Sequence, residues 1–406
     1  MLIELIVSLL IGICLGTFTG LVPGIHINLV GAILISLSVK FAPIINPIYL
    51  VIVIVAMAIT HTFVDFIPSI FLGCPDTETE LSILPGHEML KQGKGYEAIA
   101  LTLYGGLAAA IILILVSFPA VLIISKAYAF LIKGIAYILI VTSLFLICLE
   151  KNKFSAFLAF SISGILGLCA LNFNVKEPLL PLLTGLFGSS MIISSIKEKV
   201  KIPKQEITFP KITSARPLFG SLIASLLCGF LPGLGSGQAA ILGTTLSRPG
   251  RKSNSLTKNK EKEEFLFLLG ATNILVMGFS FISLYAISRT RTGAAAAVME
   301  IIGELNTPSL VLILGIILLS GVIAFFISIF LAKRFAEKVS KIDYVLISKI
   351  VLIFLTIVVL FFSGLKGFFV LVVSTLVGIY CISLKVRRTQ MMGCLLLPTI
   401  LFYLMN

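Results

Sequence analysis

The chain has 406 residues, 58% of them hydrophobic and 12% charged, with a formal net charge of +13 and a mean hydropathy of +1.13. That balance excludes a soluble globular protein, since many apolar runs exceed the roughly 18 residues that mark a membrane span. The surplus Lys and Arg crowd into a few short loops, which reads as the cytoplasmic side of a membrane protein and not as a nucleic-acid surface.

Apolar segments fall at about 2–39, 48–73, 98–124, 128–149, 153–172, 178–194, 217–247, 265–288, 308–332, 345–363, 366–384 and 390–405. Lipid offers no partner to backbone groups and the alternation of barrel strands is absent, so these segments are helical. The first has neither a basic n-region nor a small-residue cleavage site and reads as retained. It is interrupted by "GLVPGIHINLVG" at 20–31. In the second segment, His61 and Asp65 stand four residues apart on one helix face. Ionisable groups in a span are costly and mark ion pathways or mutually satisfied pairs. The functional reading is an H+ or Na+ coupling pair; the structural one is a pair stapling two helices. Seven cysteines lie singly, without a CxxC pair, so no disulfide framework, metal site or cofactor is expected.

Farther along, "GFLPGLGSGQAA" (229–240) breaks the segment 217–247 with the poorest helix formers. The loops on either side, 195–216 and 248–262, are both basic, so both should be cytoplasmic. A single crossing between them is then impossible. The segment must enter and return as a re-entrant hairpin with Pro232, Gly233, Leu234 and Gly235 at its tip, each arm of about 15 residues reaching roughly 22 Å. Non-helical backbone at that depth is tolerated where it lines a cavity. Segment 2–39 repeats the pattern around Pro23 and Gly24. Five spans follow each hairpin, and five is odd, so the two hairpins enter from opposite faces. The expected fold is an all-α polytopic membrane protein of two inverted-topology repeats. Residues 1–194 are the first repeat (hairpin 2–39 plus five spans), 195–216 a basic cytoplasmic linker, and 217–406 the second (hairpin 217–247 plus five spans).

A half-helix that starts at each tip aims its N–H groups and positive dipole end at the cavity, a place for carboxylate or phosphate. The candidate substrate-binding residues are Thr19, Pro23, Gly24, His26 and Asn28 in the first half, and Pro232, Gly233, Gly235, Ser236, Gln238, Thr272 and Asn273 in the second. Gly233 and Gly235 are expected to need both freedom in φ and the lack of a Cβ, whereas Gly220→Ala, on an arm, is expected to be nearly silent for binding. The polar stretches 72–100 and 287–298 align around Thr77/Thr79 and Thr290/Thr292, with Thr272 and Asn273 opposite Ile59 and Thr60. Arg289 and Arg291 fall on the expected outer side, against the usual charge bias, either as a solvated turn or as partners for an anion.

The tip "PGLGSGQAA", the segment "FLGCPDTE" and above all "PGHEMLKQGKGYEAIALTLYGG" (85–106) resemble the large membrane subunit of tripartite tricarboxylate transporters, the TctA family, over essentially the whole length. The resemblance carries over Pro23, Gly24, Pro232, Gly233 and Gly235 at the tips. His26 stands where that family tends to have Gly, and "SRTRTG" replaces a Gly/Pro signature. The resemblance implies carboxylate uptake together with a small membrane subunit and a soluble substrate-binding protein. The resulting reading is a secondary transporter of the plasma membrane, and not an enzyme. It carries a small organic anion, a di- or tricarboxylate, coupled to H+ or Na+; a homodimer stays open and no nucleic acid is involved. A carrier of an anionic lipid such as polyprenyl phosphate is the alternative on the same fold. An intramembrane hydrolase built on Ser236 is a lesser one, since "GLGSG" lacks GxSG spacing.

Overall fold

The computed structural model describes residues 2–22, 46–73, 79–131, 134–198, 202–210, 215–229, 231, 234–247, 257–340 and 344–405. The regular structure of the described residues is all helical, and eight of their helices are long and apolar enough to cross a membrane. Helix α1 (Leu2–Leu21) packs on α2 (Pro47–Val64). A Cβ on Gly12 would stand 2.6 Å from Val53 O, and one on Gly16 2.5 Å from Met57 O. Small residues spaced by four thus bring the two backbones together, as helices do where lipid supplies no hydrophobic drive. At 20 residues α1 is about 30 Å long, longer than the expected half-depth arm.

Helix α2 opens on a cap, Ile48 N donating to Asn46 Oδ1 at 3.0 Å. It stops at Val64, and α3 (Phe66–Leu72) resumes after Asp65. Pro68 accounts for the break, because it cannot donate to the Val64 carbonyl and its ring crowds that oxygen. A short helix α4 (Ile83–Lys91) follows, then α5 (Gly95–Leu131), α6 (Ile135–Cys148) and α7 (Lys153–Asn172). Helix α8 (Leu179–Leu183) runs through a π turn at Thr184–Ser189 into α9 (Ser190–Glu198).

In the second half, helices α10 (Arg216–Cys228) and α11 (Ser236–Ser247) form a hairpin. Its far ends meet, since Ser247 Oγ donates to Arg216 O at 3.2 Å. Then come α12 (Thr257–Ile287), the short α13 (Gly293–Ile302) and α14 (Thr307–Val339). From α12 onward, a long buried span, a short helix and a long span follow in the order of α2–α3, α4 and α5. Helix α15 (Tyr344–Ser383) is followed by a 3-10 turn at Arg388–Met392 and α16 (Gly393–Met405).

As a straight rod the 40 residues of α15 would be about 60 Å long, twice a bilayer core. They are not a rod. Leu180 packs with Val359 and Ile192 with Val351 and Leu355, so residue numbers fall along 344–363 as they rise along α8–α9. Beyond the break they rise together, with Gly185 against Ser374 and Gly378 against Ser190. The chain reverses at Gly364, whose φ of 66° and ψ of −166° belong to a region that only glycine enters without strain. The segments expected at 345–363 and 366–384 are therefore two spans.

The halves interpenetrate. Helix α5 packs along α12 and α2 along α14, while α16 lies against α6 and α7, and α8–α9 against both arms of α15. Pro47–Leu72 and Lys260–Ile287 are almost wholly buried in protein, whereas the other spans turn large apolar side chains such as Leu115, Phe118 and Phe361 outward, as lipid-facing helices do.

Candidate functional site

The two most buried spans each carry a run of intramembrane polar groups: Thr60, His61, Asp65 and Ser69 on α2–α3, and Thr272, Asn273, Ser280 and Ser283 on α12. They run antiparallel. Phe63 and Ile274 both border Gly106, while Phe66 clusters with Leu268, Leu269 and Ala240. That cluster brings α3, α11 and α12 together next to Asp65, Gln238 and Asn273.

Asn273 is fully buried (0% exposed), and neither Oδ1 nor Nδ2 has a hydrogen-bond partner among the described residues. Thr60, also 0% exposed, likewise leaves its Oγ1 unbonded. These two positions were aligned with one another in the sequence. A buried amide without a partner costs about 1–3 kcal/mol, and orphaned groups of that kind are where a ligand or water is accommodated. Gln238 is half committed: Gly235 N donates to its Oε1 at 2.7 Å, capping α11 from its third position. Its Nε2 is buried and unbonded. Thr272 donates to Leu268 O at 2.8 Å, and so serves its own helix. Ser236 is fully buried at the start of α11.

His61 and Asp65 are both buried. Thr19 Oγ1 lies 3.0 Å from His61 Nδ1 and 3.3 Å from Gly16 O. With the hydroxyl proton given to Gly16 O, Thr19 accepts from His61 Nδ1–H. Thr19, expected among the substrate contacts, lies hydrogen-bonded to His61. Gly235 does not use a positive φ; its missing Cβ leaves room for Gln238 Oε1 at 2.9 Å and Met392 Cε at 3.3 Å. Gly220 is tightly packed on its arm, because a Cβ there would overlap Ser247 Oγ and Gly243 O across the hairpin. Pro23, Gly24, His26, Asn28, Pro232 and Gly233 lie outside the described residues.

Two hydroxyl pairs are visible only in the folded chain. Ser69 Oγ lies 2.7 Å from Thr79 Oγ1, and Ser280 Oγ lies 3.0 Å from Thr292 Oγ1 while accepting from Thr292 N at 3.1 Å. Each fastens the end of a buried span to the segment after it, at the threonines aligned by sequence. A serine 10 to 12 residues before each threonine was the available signal.

Residues 6–393 match the tripartite tricarboxylate transporter TctA family. The chain belongs to that family. It is therefore a component of a tripartite tricarboxylate transporter, in a family of transporters that work with other subunits, and a multi-pass protein of the cell membrane. An uncharacterized protein of Methanocaldococcus jannaschii is 30% identical over 410 residues, covering 98% of each chain. No solved structure matches.

Proposed function

We propose that the chain is the membrane carrier for a small organic anion, a di- or tricarboxylate, held at mid-membrane between α2–α3 and α12 and coupled to H+ or Na+. The observation that carries the reading is Asn273, a fully buried amide with four hydrogen-bonding capacities unmet among the described residues in a family of tricarboxylate transporters. A carboxylate accepts from Nδ2, and its hydroxyl or protonated oxygen donates to Oδ1. Gln238 Nε2 and Thr60 Oγ1 supply two further groups at the same depth.

Two inverted repeats, 1–194 and 217–406 joined by a basic linker, account for the arrangement. Supporting them are the matching order of long span, short helix and long span, the antiparallel course of α2–α3 and α12, the matched orphans Thr60 and Asn273, and the matched Ser–Thr fasteners. A re-entrant α10–α11 hairpin is supported by the meeting of Arg216 with Ser247. Gln205 Oε1 accepts from Gly95 N at 2.7 Å and Lys262 pairs with Glu88, so both basic loops reach one end of the molecule, which the positive-inside rule assigns to the cytoplasm. Small-subunit and binding-protein partners follow the family's tripartite organisation.

The test is a thermal-shift screen of purified protein against succinate, citrate, inorganic phosphate and polyprenyl phosphate, since a ligand raises stability in proportion to its binding. Citrate or succinate should raise Tm in the wild type and not in Asn273→Leu, whose own Tm should be higher because an unsatisfied buried amide is gone. A shift with polyprenyl phosphate alone would replace the carboxylate reading with the lipid one.

A further inference from the structure

The described helices sort into two bodies, and neither body coincides with a half of the sequence. In the first, α5 packs along α12, α2 against α1 and α14, and the α10–α11 hairpin on α12. In the second, α16 lies on α6 and α7, and α15 on α8–α9. Each body is keyed by a reciprocal pair of glycines. A Cβ on Gly105 of α5 would overlap Phe267 O of α12, and one on Gly270 of α12 would overlap Thr102 O of α5. In the same way a Cβ on Gly167 of α7 would overlap Cys394 O of α16, and one on Gly393, where α16 begins, would overlap Phe160 O of α7. Small residues let the backbones meet directly, and with no side chains between them to repack, each pair is stiff. Both keys join a helix from before the 195–216 linker to one from after it.

Polar bonds tie each body internally. In the first, Ser125 Oγ donates to Ala286 O at 3.2 Å and Ser283 Oγ to Gly229 O at 3.1 Å. In the second, Gln390 Nε2 donates to Leu146 O at 3.0 Å, Ser363 Oγ to Glu177 O at 3.2 Å, and Arg387 pairs with Glu150 at 3.4 Å. Between the bodies the described backbones approach only slightly, where α3 nears α15 and the turn at Glu80–Ser82 nears the one at Arg388–Met392. Apolar side chains meet across the divide. Leu72 packs on the cluster of Ile192, Val351 and Leu355, Met392 Cε borders Gly235 of the hairpin tip, and Leu396 and Ile400 join the cluster that holds Leu231 and Leu234. Aliphatic and thioether contacts re-form in a shifted register, because they have no preferred direction.

The candidate site belongs wholly to the first body, since Thr60, His61, Asp65, Gln238 and Asn273 all stand on α2–α3, α11 and α12. The chain passes between the bodies from α5 to α6, from α9 to α10 and from α14 to α15. At the second passage Gly95 N donates to Gln205 Oε1 at 2.7 Å and Glu206 N to Gly93 O at 2.8 Å, so residues 205 and 206 already move with the first body. We propose that the first body is a carrier that shifts as one unit against the second, which serves as a frame. The anion at Asn273 is then carried past the frame while α2–α3, α11 and α12 keep their mutual positions. This inference rests on the carrier reading and adds which parts move. It also excludes a rocking of residues 1–194 against 217–406, because the glycine keys hold those two stretches together inside both bodies.

The experiment uses the full chain in proteoliposomes, lacking Cys14, Cys74, Cys148 and Cys169 but keeping the buried Cys228, Cys381 and Cys394. Cysteine pairs are joined by a flexible bis-methanethiosulfonate reagent and radiolabelled citrate counterflow is followed. Joining Leu72→Cys to Leu352→Cys, across the divide, should lower counterflow about tenfold or more, with recovery on reduction. Joining Ser125→Cys to Ala286→Cys links α5 to α12 inside the carrier and should leave counterflow within about twofold. A block by the second pair, alone or together with the first, places the motion between or within the sequence halves and overturns the proposal; so does a block by neither. Spin labels at exposed positions read the same motion without a cross-link. Citrate should shift the distance between Leu115→Cys and Phe361→Cys, across the divide, by about one helical turn, ~5 Å, and leave that between Leu115→Cys and Phe326→Cys unchanged. An unmoved first distance overturns the two bodies while leaving the carrier reading in place if the wild type exchanges citrate. A wild type with neither counterflow nor a citrate-dependent thermal shift overturns the carrier reading and the two-body motion together.

Discussion

His61 Nδ1 lies 3.0 Å from Thr19 Oγ1, a hydrogen bond between residues 42 apart in sequence that ties α2 to α1 inside the membrane. The bond holds the imidazole against α1, with the buried Asp65 one turn farther on, and the proposed coupling to H+ or Na+ falls on this pair. Asp65→Asn should abolish gradient-driven uptake while leaving citrate binding by thermal shift largely intact. Thr19→Ser should keep coupling and Thr19→Val should weaken it, because only the hydroxyl orients the ring. Normal driven transport by Asp65→Asn across pH 5 to 8 would reduce the pair to a helix staple.

Gly220→Ala should destabilise the protein, since its Cβ has no room between Ser247 and Gly243. Overpacking of that kind costs about 1–3 kcal/mol, and the strain falls where the hairpin arms cross. A lowered Tm with citrate affinity unchanged per folded molecule is the expected result. An unchanged Tm would mean that the arms separate more readily than their packing indicates.

Gly364→Ala isolates a conformational cost, because nothing lies within 4 Å of a Cβ built there. The backbone at φ 66° and ψ −166° should make alanine about 1–3 kcal/mol less stable. Gly303, at φ 67° and also with open space around it, serves for comparison. Unfolding of Gly364→Ala followed by nanoscale fluorimetry decides it: a wild-type Tm would show that 344–383 does not turn back at Gly364.

Burial, reinforced by Lys91 and Arg388, holds His87 down from 6.5 to about 4. The unfolded chain therefore binds a proton near pH 6.5 that the folded chain refuses until about pH 4. Between these values the unfolded state carries more protons, so stability falls as pH falls. Above pH 7 His87 contributes no slope. Tm should decline from pH 6.5 towards 4 in the wild type and less steeply in His87→Gln. Parallel curves for the two proteins would place His87 in water.

Apolar runs, basic loops and helix breakers were legible in the sequence because each acts locally. A long apolar run has to be helical in lipid, lysines stay on one side, and Pro232-Gly233 cannot sit in an uninterrupted helix. The alignment of Thr60 with Asn273 was legible for the same reason, since a repeat preserves spacing. Which polar groups are left without partners was not. Gln238 and Asn273 read alike as amides at membrane depth, yet one spends its oxygen capping α11 and the other's side chain bonds nothing among the described residues. Thr19 reads as a ligand group until α1 closes on α2 and brings it to His61. The tight packing at Gly220 was not legible, because the crossing of two arms, not the propensity of either, decides whether a methyl group fits. Burial, hydrogen-bond completion and charge proximity are properties of pairs distant in the chain, so tertiary structure alone sets them.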